Sequence, residues 1–181
     1  LAGSLTIGTV ADPVSLDLSN HRDRNAQSLL GNIYDGPFVR LPGGTRLPSL
    51  FAEWIEVNPT TYEAVIRTDV KFHSGEPMTI EDVKFSFDRI TVDGALDGAT
   101  SPRKGLAGPI ASTEILGPDR LRINLTAPSP TLPASLSSEG GIQIVNQSFV
   151  EAAGPGGLAT QADGTGPFRL VSWTPGDRIV L

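Results

Sequence analysis

At 181 residues, 39% of them hydrophobic and 19% charged, the chain is long enough to bury a core and too apolar to be a disordered tract. Its net charge of −6, with no clustered run of Lys or Arg, excludes non-specific nucleic-acid binding and disfavours docking on anionic lipid. The absence of Cys excludes a disulfide framework, thiolate metal sites and a Cys nucleophile.

The 20 Gly and 15 Pro predict many turns and short elements, hence more strand than helix. In chain order, SLTIGTV (4–10) predicts a strand, Asp12-Pro13 a turn and the polar LDLSNHRDRN (16–25) a loop. Leu29, Leu30, Ile33 and Tyr34 recur at helical spacing, so a helix is expected over 24–34, halted by Gly36-Pro37. FVRL (38–41) predicts a short strand, PGGT (42–45) a tight turn and LPSLFAEW (47–54) a brief helical turn. Alternation in WIEVN (54–58) and TYEAVIR (61–67) predicts a hairpin around Asn58-Pro59.

After the HSGEP turn, Thr79 with Asp82 three residues on approximates a capping box. Ile80, Val83, Phe87 and Ile90 then share one face of a helix over 80–90. Residues 91–109 predict a long loop, of the kind that binds or moves. STEILGPDRLRINL (112–125) predicts a second hairpin, turning at Gly117-Pro118-Asp119. The stretch 127–136 begins extended and ends in a short helix, IQIV (142–145) predicts a strand, and QSFVEAAG (147–154) a helix closed by Gly154. Residues 155–166 read as irregular, and FRLVSW (168–173) with DRIVL (177–181) predicts a third hairpin. No repeat of about 20–50 residues suggests a solenoid or propeller. No apolar run approaches the ~20 residues of a membrane helix.

Enzyme chemistry finds no anchor. His73 sits beside Ser74 in a turn, and no G-x-S-x-G motif marks a nucleophile. His21 and His73 are isolated, and Asp12, Asp17 and Asp23 lack the spacing of a calcium loop. PGGT and the Gly-rich 154–166 lack the Lys-Ser/Thr of a phosphate loop and read as turns. Glu81-Asp82 stands in the first turn of a helix, where carboxylates favour the positive end of the dipole. Trp54 and Trp173 lie in alternating runs and are assigned to packing. No cofactor and no metal is expected.

The stretch 47–90 resembles the signature of the family 5 solute-binding proteins, which include dipeptide-, oligopeptide- and nickel-binding proteins. The matching residues are Pro48, Leu50, Ala52 and Trp54, then Thr61, Tyr62 and Arg67. Val70-Lys71-Phe72-His73, Gly75, Pro77, Thr79, Asp82-Val83, Phe85-Ser86 and Arg89 follow in order. Ser74 stands where the family usually has Asp. Leu16-Asp17, Asn32-Ile33-Tyr34-Asp35-Gly36 and Gly164-Thr165-Gly166-Pro167-Phe168 extend the match along nearly the whole chain. Most of these positions are scaffold, so they identify the fold without stating the ligand.

The resemblance implies a mixed α/β, periplasmic-binding-protein-like fold, strand-rich, with several hairpins and short helices. Residues 1–40 would begin the first lobe, 41–163 form its extra subdomain, and 164–181 return to the lobe's sheet. The chain ends in an expected strand at Leu181, so the rest of the first lobe and the second lobe are expected beyond it. The implied function is extracytoplasmic solute capture for an ABC-type importer, without catalysis. The implied partners are a small solute, a peptide first, with nickel complexes and oligosaccharides as alternatives, and a membrane permease. The implied location is the periplasm or the outer face of the cytoplasmic membrane, with the export signal or lipid anchor outside these residues. A rival reading is a non-binding structural unit that dimerises through unpaired sheet edges. By the family pattern, the loop after the Leu-Asp motif meets ligand, which singles out His21, Arg22, Asp23 and Arg24. Ser101 and Arg103, flanking Pro102 in the long loop, are the second group. Two Arg and an Asp suit a zwitterionic or carboxylate-bearing solute.

Overall fold

The computed structural model describes residues 3–137 and 141–181. Its centre is a four-stranded antiparallel sheet in the order β3-β4-β6-β5, built from Phe51–Asn58 (β3), Thr61–Ile66 (β4), Ile110–Gly117 (β5) and Arg120–Leu125 (β6). Two hairpins dock against each other through the β4–β6 pair, with Tyr62 opposite Ile123 and Ala64 opposite Leu121. Period-two alternation turns Tyr62, Ala64, Ile66, Leu121, Ile123 and Leu125 to one buried face. The opposite face carries Glu63, which pairs with Arg120 and Arg122. Those two guanidiniums hold the Glu63 carboxyl below its usual range.

Helix α2 (Ile80–Thr91) covers the buried face with the stripe read from sequence: Ile80, Val83, Phe87 and Ile90 are all buried. The capping box is complete, since Asp82 N–H donates to Thr79 Oγ1 and Thr79 N–H donates to the Asp82 carboxylate. Phe87 stacks on Phe51, and Trp54 stacks on Tyr62 with centroids 5.0 Å apart, so Trp54 is packing.

A second cluster gathers Leu16, Leu18, Ala26, Leu30, Ile33, Tyr34, Val145 and Leu158. It lies around helix α1 (Arg24–Leu30) and receives helix α4 (Gln147–Ala153) and the hairpin of Ser172–Thr174 (β7) and Arg178–Val180 (β8). The small hairpin Phe38–Arg40 (β1) with Arg46–Pro48 (β2), and a single turn of helix, Leu132–Ser135 (α3), add Phe38 and Leu132 to the sheet core.

The GTGPF segment threads through a gap that only glycine leaves open. A Cβ on Gly164 would stand 2.1 Å from Ile33 O, and one on Gly166 2.6 Å from Asn32 O. That closeness lets Gly166 N–H donate to Ile33 O and His73 N–H donate to Gly164 O, each at 2.8 Å.

Four expectations differ. Residues 4–10 form no strand: Leu5, Ile7 and Val10 stand exposed, and a strand exists only where another strand pairs with it. LPSLFAEW is β2 followed by the start of β3, because ladder pairing with β4 overrides a short apolar run whose period is ambiguous. Residues 142–145 are buried and extended but unladdered, with Ile144 N–H donating singly to Asp35 O. The first helix stops at Leu30, capped by Gly31, and 31–34 close as tight turns.

Candidate ligand-binding site

The two groups singled out from sequence, 21–24 and 101–103, lie against each other although about 80 residues separate them. Arg22 Nε donates to Pro102 O at 2.5 Å, Ser101 Oγ donates to Ser19 O at 2.5 Å, and Arg103 Nη1 donates to His21 O at 3.3 Å. The long loop after α2 is therefore held: Ser101 Oγ also accepts from Arg103 N–H, and 104–106 close a 3₁₀ turn.

The six side chains divide by what they face. His21, Ser101 and Arg103 are buried. The His21 ring accepts from Asp23 N–H at its Nδ1, which makes it a neutral imidazole with the proton on Nε2. Burial, then the nearby Arg103 charge, lowers the His21 pKa against the opposing pull of Asp23 and Asp17. Arg103 is brought down to about 10 by burial and by Arg22, and so stays charged at neutral pH. Asp23 is half-buried and caps α1: its two oxygens accept from Asn25 N–H and Ala26 N–H. Burial pulls its carboxyl up, but those backbone donors outweigh it and the pKa falls. Arg22 and Arg24 remain exposed.

In a chain of net charge −6, this corner is locally positive. Arg22 lies close enough to Arg103 to lower its pKa, and Arg24 follows at the start of α1, while Lys104 pairs with Asp93 and Asp23 caps the α1 backbone. Such a corner suits an anionic group, and Arg offers it a planar fork of donors.

Beneath it lies a contact missed by the sequence reading. Arg89, on α2, donates to both oxygens of Asp17 at 3.2 and 2.7 Å and reaches Ser19 Oγ at 3.5 Å. Both residues belong to the motifs quoted above, and a cation and a carboxylate at two motif positions were the available signal. A second hub, Asp163, accepts from Ser74 N–H, Ser74 Oγ and Asn146 Nδ2. A depression of about 400 Å³ shares no residue with the corner. It lies between the start of α2 and α4, with Glu76 and Asp82 already engaged by Asn146 and Gln147. Among the described residues no group of His, Asp or Glu could hold a metal ion, and no helix is long and apolar enough to cross a membrane.

Residues 46–181 match the model of the bacterial extracellular solute-binding proteins, family 5 middle. The chain is 28% identical to the probable D,D-dipeptide-binding periplasmic protein DdpA of Escherichia coli K12, over 98% of its own length and 35% of that protein's. In structure it is similar to the periplasmic binding protein DppA from Helicobacter pylori in complex with the peptide STSA. The TM-score is 0.81 at 26% identity, covering 93% of this chain and 36% of that one. It is also similar to MoaA from A. tumefaciens R10 in complex with mannopinic acid, with a TM-score of 0.80 at 26% identity, over 91% of this chain and 34% of that one. The chain thus spans about a third of the length of these relatives.

Proposed function

The chain belongs to the bacterial extracellular solute-binding proteins, family 5, and from that membership we propose that it contributes part of the first lobe of an importer's solute-capturing subunit. The protein would work outside the cytoplasmic membrane, hold its solute by closure of two lobes, and pass it unchanged to a permease. Residues 1–40 and 164–181 would belong to the lobe and 41–163 to its extra subdomain, with Val145 and Leu158 of the subdomain packing into the cluster around α1 and Phe38 of the lobe into the sheet core.

The observation that carries the reading is the positive corner where Arg22, bonded to Pro102 O, and Arg24, the first residue of α1, stand exposed. The solute would be a short peptide or another small molecule with a carboxylate, and Arg22 and Arg24 would meet that carboxylate. His21, Ser101 and Arg103 would support these two from behind, and Asp23 would orient α1. Calorimetric titration of trialanine and trialanine amide into the complete protein tests this. Trialanine is expected to bind about tenfold or more tighter than the amide, as loss of a charge-assisted contact implies. The double substitution Arg22→Ala/Arg24→Ala is expected to abolish the preference. Equal binding of the two probes overturns the reading.

The exposed Leu5, Ile7 and Val10 favour a second reading, in which this unpaired run joins a strand of another copy. Size-exclusion chromatography with light scattering distinguishes them: a dimer lost on Ile7→Lys supports self-pairing, and a monomer at all concentrations excludes it.

A further inference from the structure

The segment that presents Arg22 and leads into α1 at Arg24 has little structure of its own. Residues 17–22 contain one 3₁₀ turn, Leu18–Asn20, closed by Asp17, which accepts from Ser19 N–H at 3.0 Å. Its order is imposed from outside. On one side, Arg89 grips Asp17 and touches Ser19 Oγ. On the other, Ser101 and Arg103 hold the Ser19 and His21 carbonyls. Of these ties, only the Arg89 contact is a buried ion pair, with side-chain exposures of 5% and 8%. It is also the one that reaches a regular helix packed on the central sheet.

We infer that Arg89 is a positioning residue for solute capture: acting through Asp17, it fixes the ledge from which Arg22 and Arg24 reach the solute. The inference rests on the proposed function above. Buried ion pairs earn geometric definition more than stability, because desolvation offsets most of their attraction. A bidentate Arg–carboxylate fork sets both distance and plane, which an apolar pair of similar volume does not. Arg89 itself need not touch solute: it is buried, and its guanidinium is committed to Asp17 and stands 5.9 Å from the Phe85 ring centre.

The test compares the unaltered complete protein with Arg89→Met/Asp17→Leu, which removes both charges together and so strands neither. Ile123→Val, in the sheet core, is the control for a simple loss of stability. Hydrogen exchange and trialanine titration are read on all three. In the double variant, the Asn20 and Asp23 amides, whose own acceptors are the Asp17 backbone carbonyl and the His21 ring, are expected to exchange about tenfold or more faster, with β4 and β6 amides unchanged. Trialanine affinity is expected to fall about tenfold while the thermal midpoint stays close to that of the control. The control is expected to keep both ledge protection and affinity. Unchanged affinity in the double variant overturns the positioning role. Equal affinity of the unaltered protein for trialanine and its amide removes the solute reading and the role with it. In that case ledge exchange still reports whether Arg89 holds residues 17–22.

Discussion

The carboxylate of Asp17 and the guanidinium of Arg89 meet through two parallel hydrogen bonds of 3.2 and 2.7 Å, across 72 residues of sequence. Both are buried, so removing one partner leaves the other charge without compensation. Arg89→Met or Asp17→Asn alone is expected to lower the unfolding free energy by about 3–5 kcal/mol in a urea titration. The paired apolar replacement is expected to cost much less. Single and double replacements of equal cost would contradict this account of the pair.

A Cβ on Gly164 would meet the backbone first, 2.1 Å from Ile33 O, and then the buried Tyr34 ring at 2.7 Å. Gly164→Ala therefore requires the 32–34 turn to move, and about 1–3 kcal/mol of stability should be lost, as in overpacked cores. Gly117, with nothing near its Cβ position, serves as the comparison. Thermal denaturation of Gly164→Ala and Gly117→Ala should rank them in that order of damage.

Asp163 accepts from both the Ser74 amide and hydroxyl, each at 2.8 Å. Ser74→Ala is expected to cost about 1 kcal/mol, the net worth of one hydrogen bond. Ser74→Asp sets two carboxylates face to face and should cost more. Adding Asp163→Ser to it should recover part of the loss, which denaturation of the unaltered protein, Ser74→Asp, Asp163→Ser and the double variant would reveal as a non-additive cycle.

His21 is held neutral in the fold, its pKa lowered from the ordinary 6.5 chiefly by burial and then by Arg103. The unfolded chain takes up the His21 proton at a higher pH than the folded chain does. Stability from this group is therefore complete above 6.5 and is lost as pH falls through the lower folded value. Protonation at Nδ1 also removes the acceptor for Asp23 N–H. Denaturation midpoints should fall between neutral and mildly acidic pH, and His21→Gln should flatten that part of the curve.

Where helix and strand patterns were long, residue order sufficed. The α2 stripe, its capping box and both hairpins of the central sheet follow from local period and turn chemistry. The short runs were illegible for a shared reason. Whether residues 4–10 or 47–54 become strand depends on a neighbour far away in sequence. The corner divides the same way. Its cations could be counted in the sequence, but which of them face outward is decided by Ser101, Arg103 and Arg89, 82, 82 and 72 residues from their partners. Asp163 gave no signal, because one carboxylate in a Gly-rich stretch resembles any turn residue.

The central claim is capture without chemistry. Equilibrium dialysis of the complete protein against trialanine, with mass spectrometry of the retained and free peptide, tests it most directly. Saturable retention of intact trialanine at one per protein, weakened in Arg22→Ala/Arg24→Ala, is the predicted result. Accumulation of cleaved peptide, or retention indifferent to both arginines, would contradict it.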